Sequence, residues 1–177
     1  MSILSYLTYA FIGKKMAKRS IDIALTEAEA GEGLETVYEN VCTLATEPEL
    51  CFNYATTDEL REWKFLEGCF SALLRDKKDV IVQVITTYQE RNGAALAYKA
   101  DVNYFKKNNY GRPLKGKMLG DDSIMFKKNQ SDGITYNILF LKNTFFAAIS
   151  GKYKIEKAEN IDHITGLAEK IESKIPE

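Results

Sequence analysis

The chain has 177 residues, enough for one domain with a real core and no need of disulfide or metal staples. With 45% hydrophobic and 28% charged residues and only 3 prolines, it has the composition of an ordinary globular protein, which sets aside fibrous and low-complexity classes. A formal net charge of -1 excludes a global attraction to nucleic acid or to an acidic membrane.

In chain order, residues 2–30 carry Ile3, Leu7, Ala10, Phe11, Ala17, Ile21, Ala24, Leu25 and Ala28 at helical spacing, with Gly31 and Gly33 as a stop. A second helix is expected on the stripe Leu34, Val37, Tyr38, Val41, Leu44 and Ala45, ended by Thr46-Glu47-Pro48. Residues 1–46 thus read as an N-terminal helical segment ahead of an α+β domain at 49–177.

That domain opens with a short strand, on the alternation of Leu50, Phe52 and Tyr54. Thr56 and Glu59 have capping-box spacing before a short helix with Leu60 and Trp63 inward, ending near Gly68. CFSALLR and VIVQVITTY form a hairpin around DKKD, with Val80, Val82 and Val84 on one face and Ile81, Gln83 and Ile85 on the other. After Gly93 the period turns helical through Ala94, Ala97, Tyr98, Asp101, Val102 and Phe105, with Asp101 the polar intruder. SIMFKK, ITYNILFL and TFFAAISG make a meander, its last turn at Lys142-Asn143. A final helix aligns Ile161, Ile164, Leu167, Ala168, Ile171 and Ile175, with Asn160 as candidate N-cap.

The expected fold is α+β: an antiparallel sheet of about five to six strands covered by helices, with an N-terminal helical pair. The sheet includes 69–75, 80–88, 122–128, 134–142 and 144–150, and Ile138 and Phe140 share a face. The stretch Phe65 to Ile175, through GDDSIMF, NILFLKNTFFAAISG and GLAEKIESKI, resembles the PsbP-like α/β/α sandwich group. That resemblance implies a non-catalytic accessory or binding domain, and the N-terminal helices have no counterpart in it.

The chemistry-bearing residues are few. Cys42, Cys51 and Cys69 have no CxxC spacing, and with a single histidine they match no zinc pattern, so they read as buried thiols in a reducing compartment. Gly120-Asp121-Asp122 has the residue types of a two-metal turn but no partner carboxylate on another strand. It reads instead as a glycine turn with an aspartate capping backbone N–H groups. His163 has no nucleophile or base partner in the sequence and reads as a half-exposed residue in the first turn of a helix. The Gly-Lys pairs at 13, 116 and 151 lack phosphate-loop spacing. No catalytic, cofactor-binding or metal-ligating residue is expected.

Two segments carry positive leads. Lys106, Lys107, Arg112, Lys115 and Lys117 interleave with Tyr104 and Tyr110, a pattern suited to a phosphate backbone and stacked bases. Ile3, Leu7 and Phe11 form an apolar stripe beside Lys14, Lys15, Lys18 and Arg19, suited to a protein partner, self-association or a membrane surface. No segment reaches the ~20 apolar residues that a bilayer span needs. The function expected is therefore a non-catalytic binding or accessory role in a protein assembly, cytoplasmic or peripheral at a membrane. The alternative is a nucleic-acid- or ribosome-associated factor using 104–117, and a further one is a membrane-surface adaptor.

Overall fold

The structure, a computed structural model, describes residues 18–46, 51, 55–76 and 79–177. Its elements in order are α1 (Ser20–Ile23), α2 (Glu27–Ala30), β1 (Leu34–Cys42), α3 (Thr57–Glu62), β2 (Phe65–Arg75) and β3 (Asp79–Tyr88). They continue with α4 (Arg91–Lys107), β4 (Arg112–Leu114), β5 (Asp122–Gln130), β6 (Gly133–Lys142), β7 (Phe145–Tyr153) and α5 (Glu159–Lys174). One antiparallel sheet takes the strands in the order β1-β2-β3-β7-β6-β5-β4.

The α+β antiparallel architecture is the one expected, but the sheet has seven strands rather than five to six. The additions are the two edge strands, β1 and β4. Residues 34–42 form β1, not the expected second helix, and the sheet therefore runs across the boundary placed between 46 and 49. Their spacing misled because β1 is an edge strand whose register slips between Thr36 and Tyr38. A bulge resets the alternation, and an edge strand buries little beyond its ends, here Leu34 and Cys42.

The continuous helix expected up to Ala30 is broken into α1 and α2. Leu25 turns its backbone N–H and C=O to the Gln83 side chain, at 2.8 and 3.0 Å, and so leaves the helical path. Thr26 then starts α2 with a capping box to Glu29. The same device at Thr56 and Glu59 starts α3 as expected. That helix ends at Glu62, and β2 already begins at Phe65. The expected strand around 50–54 lies, apart from Cys51, outside the described residues.

Two smaller corrections concern turns. Asn143 and Thr144, not Lys142 and Asn143, connect β6 to β7, with Asn143 at φ 53°. Asn160 is not the N-cap of α5; it lies inside the helix and its side chain donates to the Ile155 carbonyl at 2.8 Å.

The sheet has a core on each face. On one, Leu73, Ile81, Ile85, Ile138, Phe140, Ala147 and Ile149 meet α1, α2 and the apolar stripe of α5. Ile138 and Phe140 do share this face. On the other, Phe126, Leu139, Leu141 and Phe146 meet α3 and α4 through Leu60, Ala94, Ala97 and Tyr98. The buried polar side chains of the first face include Gln83, whose amide also donates to Ser71 Oγ at 2.8 Å, so its buried polar atoms are bonded.

Candidate functional site

A sheet of seven strands spans six spacings of about 4.8 Å, roughly 29 Å, while a helix with its side chains is about 10–12 Å across. α4 therefore covers only part of its face. Among the described residues the sheet stays half-open toward β2 and β3, and a groove of about 300 Å³ lies between α4 and the strands. Its floor is built by residues one face apart along each strand: Phe70 on β2, Val82 and Val84 on β3, Asn137 and Leu139 on β6, Phe146, Ala148 and Ser150 on β7. Along β7 the side chains shrink from Phe146 to Ala148 to Ser150, which makes the space. Asp101, Tyr104 and Phe105 of α4, with Tyr110 beyond it, form the wall, and Cys51 stands at one end.

Two polar side chains in this apolar setting are deeply placed. Asp101 and Asn137 are each only 5% exposed. Both stand among the apolar and aromatic side chains that line the groove. The aromatic wall is stacked, with the Phe105 and Tyr110 rings 4.5 Å apart and Tyr104 and Tyr110 5.7 Å apart. The Tyr110 phenol is pushed above its ordinary value chiefly by its hydrogen bond with Tyr104, with the Asp101 charge adding in the same direction. Burial does the same to Tyr88, again with Asp101 adding to it.

A disulfide stands beside this end of the groove. Cys42, closing β1, is joined to Cys51, nine residues on, with Cα atoms 7.1 Å apart. This corrects the expectation of three free thiols. The spacing, which is not CxxC, becomes a pair because the β1–β2 register sets Cys42 beside Gly68. A Cβ on Gly68 would lie 2.6 Å from Cys51 Sγ and 3.2 Å from Cys42 Sγ, so the missing side chain makes the room. Cys69 is a buried free thiol, its pKa pushed up to about 12 by burial.

A second cavity lies on the opposite face at the end of β7. The Arg75–Asp79 ion pair, at 2.7 Å, and His163, Tyr153, Lys154, Lys157, Glu159 and Asn160 line it. His163 is half-exposed, as expected, but lies past the first turn of α5. Its Nδ1 is 2.8 Å from the Tyr153 hydroxyl, and burial holds its pKa below the ordinary value, against the pull of the Ala30 carbonyl. The ring ties α5 to β7. No serine, threonine or cysteine lies among the residues described along this cavity, and its charges are mixed in sign.

The Gly120-Asp121-Asp122 turn is a structural cap. Gly120 has φ 56°, and a Cβ there would lie 2.2 Å from the Leu141 carbonyl oxygen. The Asp121 carboxylate accepts the Asn143 backbone N–H at 2.9 Å and faces Arg91 at 3.3 Å. Asp122 begins β5 and lies against Tyr98, whose phenol is pushed up by burial and then by this carboxylate. Among the described residues no group of three or more His, Cys, Asp or Glu gathers to hold a metal ion.

The basic segment is spread out. Lys106, Lys107 and Lys115 are exposed, Arg112 is exposed on β4, and Lys117 pairs with Glu169 of α5 at 2.8 Å. Tyr110 is half-buried against Phe105, with Lys128 Nζ 5.3 Å from its ring centre. Ile3, Leu7, Phe11, Lys14 and Lys15 lie outside the described residues. Lys18 donates to the Lys174 carbonyl at 2.6 Å, and Arg19 reaches Glu67 at 3.4 Å, so both are engaged by the domain itself. Among the described residues no helix is long and apolar enough to cross a membrane.

The groove is what sequence reasoning missed. Its signals were Asp101, a charge on the buried stripe of an otherwise apolar helix face, and the shrinking side chains of Phe146, Ala148 and Ser150 along β7.

No protein-family model matches the chain, and no curated protein matches it. Among solved structures, it is similar to the crystal structure of the extracellular domain of PknH from Mycobacterium tuberculosis, with a TM-score of 0.62 at 9% identity. The alignment covers 89% of this chain and 94% of that chain, and at this identity the likeness is one of fold.

Proposed function

We propose that the chain is a non-catalytic binding domain and that its binding site is the groove between α4 and the sheet. The observation that carries this is the pairing of an open apolar floor with two deeply placed polar side chains, Asp101 and Asn137. Concave apolar sites with a few convergent polar groups are what small-molecule binding uses. The PsbP-like resemblance in sequence implies the same accessory or binding role. A thermal-shift screen of the full chain against small-molecule mixtures tests it. Stabilising compounds should lose their effect on Ala148→Phe, which fills the groove floor; compounds that stabilise both proteins equally would overturn the assignment.

The compartment belongs to this proposal. The Cys42–Cys51 disulfide and the likeness to an extracellular domain both support an oxidising compartment over the cytoplasm. Protein isolated from its native cells under alkylating, non-reducing conditions should carry a label on Cys69 alone after unfolding; labels on all three cysteines would return the chain to the cytoplasm.

A second reading, the protein assembly, is favoured by one observation. Val37 and Tyr38 on edge strand β1 are 58% and 42% exposed, and Leu66 on β2 is 50% exposed. An open strand edge with apolar side chains is suited to a partner strand. Val37→Lys with Tyr38→Lys should release any protein that co-purifies with the chain, and retention of that protein would sink this reading. The nucleic-acid alternative has less support, because the basic residues of 104–117 are spread over a helix end, an edge strand and a loop, and Lys117 is paired with Glu169.

A further inference from the structure

The groove's chemistry narrows its ligand. Of the residues described along it, none is lysine, arginine or histidine, and the formal charge among them is that of Asp101. Asp101 is deeply placed, so its field is screened far less than that of a surface carboxylate. Aromatic rings come from both sides: Tyr104, Phe105 and Tyr110 from the helix side, Phe70 and Phe146 from the sheet. Each ring face is negative in its quadrupole and attracts a cation. The Tyr110 ring already holds one, Lys128, at 5.3 Å. Asn137 and Ser150 add oxygen acceptors at the floor.

We infer that the groove is a site for small organic cations, in which an alkyl- or arylmethylammonium group sits among the aromatic rings with its charge toward Asp101. This rests on the groove being the binding site. A carboxylate or phosphate ligand would bring like charge against Asp101 in a poorly screened setting. A neutral ligand of the same shape would gain the apolar contact but nothing from the carboxylate or the ring quadrupoles. An ammonium gains from all of them, and its N–H groups can donate to the Asn137 and Ser150 oxygens. The apolar floor of Val82, Val84 and Ala148 takes the carbon body of the ligand.

The test uses the full chain, labelled with nitrogen-15 and titrated with benzylamine, benzyl alcohol and benzoate, followed through the backbone amides of Phe70, Val84, Asn137 and Ala148. Benzylamine should bind about tenfold or more tighter than benzyl alcohol, and benzoate should bind weakest. Choline against its neutral isostere 3,3-dimethylbutanol should repeat the order. Asp101→Asn should bring benzylamine down to the level of benzyl alcohol. The probe series on the unmodified chain decides the matter even where that variant does not fold. Equal or tighter binding of the neutral or anionic probe at these amides overturns the cation inference and leaves the groove as the binding site. No response at these amides to any probe overturns both.

Discussion

At the scale of single residues, polar groups in the sheet have definite employment. Gln83 interrupts a run of β-branched residues because its amide closes both backbone groups of Leu25 and reaches Ser71. Gln83→Leu keeps the volume but orphans those buried partners, so it should cost about 2–4 kcal/mol in urea unfolding. Tyr88 is the opposite case: its hydroxyl is buried with no hydrogen-bond partner of good geometry among the described residues. Tyr88→Phe should therefore leave stability unchanged or raise it by up to about 1 kcal/mol, and a large loss would show a bond not seen here. Gly93 is required for close approach, since a Cβ would lie 1.8 Å from the Trp63 carbonyl oxygen. Gly93→Ala, ordinarily favourable inside a helix, should here destabilise by roughly 3 kcal/mol. The Gly120-Asp121-Asp122 turn was legible in the sequence because turn chemistry is local: a positive-φ glycine and a carboxylate on a free N–H. Calorimetry with magnesium and manganese should show no site-specific heat, and a saturable site lost in Asp121→Asn would contradict the capping role.

At the scale of elements, strongly patterned segments were legible and edges were not. The β2–β3 hairpin, the α4 stripe, the β5–β6–β7 meander and α5 all bury one continuous face, so their periods survive in the sequence. β1 buries only its ends and carries a bulge, which left Leu34, Val37, Tyr38 and Val41 at a spacing that imitates a helix. Its disulfide was equally hidden, because the partner of Cys42 is fixed by the register against Gly68 rather than by spacing. The disulfide closes a short loop, and its reduction should lower stability by about 2–3 kcal/mol by denaturant titration with and without reductant. α5 is tied to β7 by His163 and Tyr153. Burial makes folded His163 bind its proton less readily than the unfolded chain does, whose value is about 6.5. Its contribution is therefore complete above that pH and is lost as pH falls through it toward the folded value. Stability should decline between pH 7 and pH 5, and His163→Gln should flatten that part of the curve; an unchanged slope would show that His163 does not titrate there.

At the scale of the molecule, the groove follows from an unequal cover: α1, α2 and α5 on one face of seven strands, α3 and α4 on the other. No window of sequence contains that inequality, which is why the site was not legible, although Asp101 on a buried helical stripe and the run Phe146, Ala148, Ser150 are its local traces. The expected α+β class needed only the order of elements and was within reach. The measurement that bears most directly on the binding-domain proposal is crystallographic soaking of the chain with small organic fragments. The account predicts fragment density against Phe70, Val84, Asn137 and Ala148, with amines nearest Asp101. A groove closed by the chain itself, or fragments gathered elsewhere with this one empty, would contradict it.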